Sequence, residues 1–257
     1  MSETILIDTR DHVRTLTMNR PEARNAFNTE QWFALRDALA ESSADNDVRV
    51  VILTGAGKAF TAGVDLAEMS GPPGGGEQPF GACMQQLVDF DKPLIAAVNG
   101  AGVGFGLTVL LHCDLAIIAK GARLRAPFVS LGVVPEAASS YLLPIHVGSQ
   151  NAAEILYTAD WLTSSRAVEV GLALREVPPA ELMPEARALA ARIAVHPLGS
   201  LRHSKRLMRA GRIDAIREAR KREDDAFAER LGTPENIEAI TAFFQKRPAD
   251  FSNIDPD

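Results

Sequence analysis

Asn99 to Asp114 reads NGAGVGFGLTVLLHCD, and the fold turns on how it is read. Ahead of it, Asp91-Lys92-Pro93 introduces the wholly apolar run Leu94 to Val98. An apolar run bounded by turn residues predicts a buried strand, and the spaced glycines Gly100, Gly102, Gly104 and Gly106 predict a turn after it. Leu107 to Leu111 is apolar and holds no breaker, so the turn is expected to open into a buried helix. Glycines let the backbone come close to another group, and the first N–H groups of a helix have no internal acceptor. That combination suits an anion, either bound or developing during a reaction. Tight packing of backbone on backbone is the other use of the same glycines. A dinucleotide site fits less well. Such a loop usually opens its domain and is followed about 20 residues later by an acidic ribose ligand. Here the loop lies mid-chain, and the next apolar segment, Leu115 to Ala119, ends in Lys120-Gly121.

The chain has 257 residues, 46% of them hydrophobic, enough for one large core or a core with a small appendage. Its 33 acidic residues outnumber 27 Lys and Arg, the formal net charge is −6, and no long basic run occurs. No nucleic-acid partner is therefore expected. Cys83 and Cys113 lie far apart without metal-ligand spacing and read as thiols in a reducing compartment. No metal site is expected. The start, Met1-Ser2-Glu3-Thr4, lacks a basic segment followed by an apolar one, so no secretory signal is read. No apolar run reaches membrane-spanning length, and the end, Ile254-Asp255-Pro256-Asp257, is not the peroxisomal address. A cytoplasmic protein without a membrane partner is the expectation.

Upstream, Ile5 to Asp8 and Val13 to Met18 alternate around Arg10-Asp11-His12, a hairpin signal. Asn19 to Asn28 is a polar loop, and Asn28 or Thr29 can cap a helix carrying Trp32, Leu35 and Leu39 at helical spacing. Val48 to Thr54 predicts a strand, and Ser70 to Gly76 a mobile loop. A helix from about Glu77 to Phe90 leads into the central strand. Downstream, Leu115 to Ala119 predicts a strand, Gly148-Ser149 can start a helix, and Thr163 to Ser165 can cap a short one ending at Gly171. From about Ala180 to Phe244 the pattern is helical, broken at His196-Pro197 and Gly232-Thr233-Pro234. The expected organisation is an α/β core over residues 1–195 and a helical region over 196–257.

Three segments together resemble the crotonase, or enoyl-CoA hydratase/isomerase, superfamily: Asn19 to Asn28 (NRPEARNAFN), Thr54 to Leu66 (TGAGKAFTAGVDL) and Asn99 to Asp114. With the helical tail, the resemblance covers nearly the whole chain. It implies a spiral of ββα units, a C-terminal helical trimerisation region, and a homotrimer or dimer of trimers. It implies a coenzyme A thioester as substrate and no cofactor. It also implies an oxyanion hole made by the backbone N–H groups of Val64 and Phe105, with the Phe105 side chain turned away from the thioester. Two preorganised donors stabilise the charge that forms on a thioester oxygen, and losing one such donor costs about 3–4 kcal/mol of barrier. The coenzyme A path implied by the family runs past Arg24, Ala26, Ala62, Asp65, Leu66 and Gly100, with Lys246 as a basic residue near the last helix. Arg24 could equally be an exposed loop arginine, and Lys246 with Arg247 a basic pair at a helix end. The acyl pocket is expected near the loop from Ser70 to Gly81 and near Phe80, Met84 and Leu87.

The reaction is expected to follow from the carboxylates. Hydratases of this family carry two glutamates, at positions that here hold Thr108 and Phe128, neither of which can do acid/base work at neutral pH. A glutamate appears instead at Glu136, in Leu131 to Tyr141 (LGVVPEAASSY). That segment is similar to the LGxxPExxSSY segment of the peroxisomal-type Δ3,Δ2-enoyl-CoA isomerases, whose single catalytic glutamate falls there. The resemblance therefore implies isomerisation of 3-enoyl-CoA to trans-2-enoyl-CoA, as in fatty-acid β-oxidation, with Glu136 as the base. Apolar neighbours would raise its pKa. The alternatives are enoyl-CoA hydration and a non-catalytic acyl-CoA-binding protein.

Overall fold

The computed structural model describes residues 4–69 and 78–254; the Ser70 to Gly76 loop of the sequence reading lies outside them. The chain opens with a hairpin of β1 (Ile5–Arg10) and β2 (Val13–Met18). Asp11 and His12 between them both have positive φ, 49° and 65°, which suits a two-residue hairpin loop. Helix α1 (Thr29–Ala44) follows, and the Asn28 side chain accepts from Gln31 N–H to cap it.

A repeated unit then builds the body. Strand β3 (Val50–Gly55) turns into β4 (Ala59–Thr61), followed by α2 (Leu66–Met69) and α3 (Pro79–Asp89). Strand β5 (Leu94–Val98) turns into β6 (Ala101–Val103), followed by α4 (Phe105–Thr108) and a tighter 3-10 turn, Val109–His112. Strand β7 (Leu115–Ala119) turns into β8 (Arg123–Arg125). Helices α5 (Ser139–Val147) and α6 (Ser149–Thr158), strand β9 (Leu162–Thr163), helix α7 (Ser164–Glu169) and strand β10 (Arg175–Val177) complete the strand-bearing part. The helices α8 (Leu182–Ala194), α9 (Leu198–Arg209), α10 (Ile213–Arg230) and α11 (Pro234–Gln245) follow.

The long strand of each unit enters one sheet, ordered β1-β2-β3-β5-β7-β10, and the short one a second sheet, ordered β4-β6-β8-β9. All neighbours are parallel except the β1–β2 and β8–β9 pairs. β3, β5 and β7 are apolar almost throughout and nearly fully buried, as parallel strands covered on both faces must be. The result is the expected spiral of ββα turns with helices at its C-terminal end.

Differences from the sequence reading are local. β4, β6, β8 and β9 are two or three residues long, too short for apolar alternation to reveal. The expected helix after the glycines tightens after Thr108. α9 and α10 are separated by a further break at 210–212. Among the described residues, no helix is long and apolar enough to cross a membrane.

Candidate active site

Two turns, one from each of the first two units, meet at the site. Gly63 adopts φ +84°, and a Cβ there would come within 2.6 Å of the Val103 carbonyl oxygen and 3.5 Å of Phe105 N. The Gly63-Val64 and Gly104-Phe105 backbones are therefore in contact. Phe27 N–H donates to Gly63 O (2.7 Å) and Asp65 N–H to Phe27 O (2.9 Å), so Phe27 bridges the peptides on either side of Val64. In a parallel bridge of this kind the middle residue's own N–H points the other way. Phe105 is the first residue of α4, where an N–H has no intrahelical acceptor. Gly104, at φ +54° and ψ −113°, makes the turn, and its N–H donates to Arg125 O (2.9 Å). Neither Val64 N–H nor Phe105 N–H donates to a carbonyl among the described residues. Both residues line one cavity of about 590 Å³.

The Phe105 ring packs among other aromatics, edge-on to Phe27 (centroids 5.0 Å apart) and Trp32 (4.7 Å). Phe27 and Trp32 are themselves 4.2 Å apart, and all three are buried. A phenylalanine here thus anchors the turn to the core while its backbone stays at the cavity.

Glu136 lines the same cavity and is buried. Burial, then the nearby Glu223 carboxylate, push its pKa up to about 8, opposed by the Thr108 hydroxyl. Yet Glu136 Oε1 and Thr108 Oγ1 are both buried without a well-formed hydrogen-bond partner. The turn that carries Glu136 is unusual: Ala137 and Ala138 both have φ +59°. His112 Nε2 lies 2.7 Å from Ala137 O. Burial lowers His112 to about 4, so the ring is neutral, and Nε2–H is the donor because a carbonyl can only accept.

Of the sequence-predicted residues, Glu136, Val64, Phe105, Arg24, Ala26, Asp65 and Leu66 line this cavity, as does Ala62. Arg20 ties the loop residues together: it donates to Ala26 O (2.5 Å) and pairs with Asp65 (3.2 Å). Arg24, held at φ +53°, keeps its guanidinium free of ion pairs among the described residues. Asp65 and Glu136 are the carboxylates among the described lining residues, and Asp65 is the one already paired. Phe128 also lines the cavity, and Thr108 is buried behind it.

Two predicted binding residues fall elsewhere. Gly100 is buried where a Cβ would strike the Lys58 carbonyl at 2.0 Å, so this glycine serves backbone packing between units rather than the cavity. Lys246 lies outside the cavity lining; its neighbour Arg247 lines it, paired to Glu238. Of the residues expected at the acyl pocket, Ser70 to Glu77 lie outside the described residues. Met84 and Leu87 are fully buried in the core, and neither they nor Phe80 are among the described lining residues. Phe227 of α10 and Asn236, Ala239, Ile240, Phe243 and Phe244 on α11 line the cavity. The i, i+3, i+4, i+7 spacing on α11 was the available signal, but a sequence does not say which surface an apolar face meets.

A sequence model of the family described as enoyl-CoA hydratase/isomerase matches residues 8–254. Similar proteins include a crotonyl-CoA hydratase from Syntrophomonas wolfei, 35% identical over 97% of this chain and 98% of that protein. A short-chain-enoyl-CoA hydratase from Clostridium acetobutylicum is 33% identical over 95% of each. The solved structure of an enoyl-CoA hydratase/isomerase from Pseudoalteromonas atlantica superposes with a TM-score of 0.94 at 38% identity, covering 97% of this chain and 100% of that one.

Proposed function

The chain belongs to the enoyl-CoA hydratase/isomerase family, and on that premise we propose that it moves the double bond of a 3-enoyl-CoA to the trans-2 position, with Glu136 as the single acid/base group. The observation that carries this reading is the cavity's inventory of carboxylates. Asp65 is held by Arg20, Glu136 is buried and unpartnered at Oε1, and Thr108 and Phe128 stand where the hydratase pattern has glutamates. One base is enough for isomerisation and too few for the two-glutamate hydration.

The substrate carbonyl oxygen would sit against Val64 N–H and Phe105 N–H. Glu136 takes a proton from C2, the electron pair of the broken C2–H bond forms a C1–C2 double bond, and the carbonyl π pair moves onto the thioester oxygen of the dienolate. The C3–C4 double bond stays in place until C4 takes the proton, when the double bond settles at C2–C3 and the carbonyl re-forms. Protonation of C4 by the Glu136 carboxylic acid then gives the 2-enoyl thioester and returns the base to its starting state. Electrostatic stabilisation by two preorganised donors is the term most responsible for the rate. Arg24 at the rim is a cation suited to the phosphates of coenzyme A.

Product analysis on paired 3-enoyl- and 2-enoyl-CoA substrates tests the proposal. Glu136→Gln is expected to lower isomerisation at least about a hundredfold, the scale of a general base, with coenzyme A binding retained; near-normal turnover would remove Glu136 from the chemistry. The names of the relatives favour a second reading, addition of water to a 2-enoyl-CoA. Label at C3 after incubation in labelled water is its signature.

A further inference from the structure

Helix α5 begins without a local cap: Ala138 occupies the N-cap position and its side chain accepts nothing. The group that meets this helix start comes from α10. Glu223, itself buried, accepts from Ala138 N–H (2.5 Å) at one carboxylate oxygen. Its other oxygen accepts from Ser140 N–H (2.7 Å) and the Ser140 hydroxyl (2.5 Å). Three donors on two oxygens suit an ionised carboxylate, which only accepts. Ala137 and Ala138, which lead into this helix start, are both left-handed, a conformation strained for a non-glycine residue that persists only where the surroundings fix it. His112 holds the Ala137 carbonyl from one side and Glu223 the Ala138 N–H from the other. Glu136 is the residue this double turn aims into the cavity.

We infer that Glu223 is a positioning residue for the reaction: it holds the paired left-handed alanines, and through them sets where the Glu136 carboxyl points. This rests on Glu136 being the base. Glu223 also acts on that base through space. The groups acting on Glu136 are the Glu223 and Asp224 carboxylates from α10 and the Thr108 hydroxyl, while His112 beside the turn is neutral. Asp224 faces Arg220 at 3.8 Å, whereas Glu223 has only neutral donors; burial raises its own pKa, and the Ser140 and Ala138 donors oppose this by favouring the charged form that acts on Glu136.

The test uses Glu223→Gln, Ala138→Gly and the double variant in the full chain, with 3-enoyl-CoA turnover measured against pH. In Glu223→Gln the amide presents a donor where a second acceptor is needed, so kcat is expected to fall about tenfold or more, as for a slightly misplaced catalytic group, with KM within about twofold. The midpoint of the pH profile moves to lower pH, because a negative charge beside the base is gone. Glycine adopts positive φ without strain, so Ala138→Gly in the Glu223→Gln background should restore several-fold of the lost kcat while leaving the pH midpoint shifted. A helix cap alone would change thermal stability and neither kcat nor the midpoint; that result overturns the proposal, as does a double variant no faster than Glu223→Gln. If Glu136→Gln is inactive and Glu223→Gln is normal, the base stands and the positioning role falls. If Glu136→Gln keeps its turnover, both fall.

Discussion

Burial governs Glu136 in two opposite ways. Its pKa of about 8 lies above the ordinary carboxylate value of 4.5, so the base form grows as pH rises, and kcat/KM is expected to climb to a plateau above about pH 8. Folding stability runs the other way. The fold favours the neutral carboxyl, so the contribution is complete below about pH 4.5 and is lost as pH rises through about 8. Urea midpoints taken across this range should decline for the wild type more steeply than for Glu136→Gln, which carries no charge at any pH. Phe105 divides its work differently, since its backbone faces the cavity while its ring sits between Phe27 and Trp32. Phe105→Ala keeps the N–H but empties part of the aromatic cluster. A loss of about 3–5 kcal/mol in chemical denaturation is expected, and an unchanged midpoint would show that the cluster does not anchor the turn.

At the scale of elements, the C-terminal helices are fastened to the core by buried charge. From α9, Lys205 Nζ donates to Asp114 (2.8 Å), at the start of β7, and to the Lys92 carbonyl (2.8 Å), and Arg209 donates to Val88 and Phe90 carbonyls at the end of α3. Lys92 reaches the other way, its Nζ 2.5 Å from both Ser42 and Asp45 carbonyls at the end of α1. Asp114 also accepts from Leu94 N–H, so one carboxylate joins α9 to the first residue of β5. Lys205 is buried while Asp114 reaches solvent, so Lys205→Ala strands mainly the buried Lys92 carbonyl and is expected to cost about 1–3 kcal/mol in equilibrium unfolding. A change below about 1 kcal/mol would mean the lysine is merely tolerated there. The sequence showed the helices of this region but not their attachment, because lysines on a helical pattern read as solvated.

Across the whole molecule, the cavity closes only because segments far apart in sequence converge: Arg24 to Ala26, Ala62 to Ala67, Val103 to Phe105, Phe128 to Glu136, and α11. The tail, expected as an oligomerisation region, therefore also walls the candidate site. It leaves apolar side chains outward as well, with Leu207 77% and Met208 72% exposed on α9 and Ile237 57% on α11. Exposed apolar residues on these helices are candidates for an interface between copies. Sedimentation equilibrium is expected to give three or six times the 27.7 kDa chain mass, and a monomer at micromolar concentration would overturn the homotrimer expectation.

Local sequence was enough for the long strands and most helices, since short apolar runs such as VVILT and LIAAV, bounded by turn residues, suit strands covered on both faces. The resemblance to the crotonase superfamily, rather than spacing alone, pointed to Val64, Phe105 and Glu136, and all three line the cavity. Three things came from tertiary structure alone. Gly100 packs on Lys58 instead of facing the cavity, Arg247 rather than Lys246 lines it, and Glu223 grips the turn beside Glu136. Each depends on which surface a residue meets from another part of the chain. That choice is made by packing between elements, and no periodicity within one element encodes it.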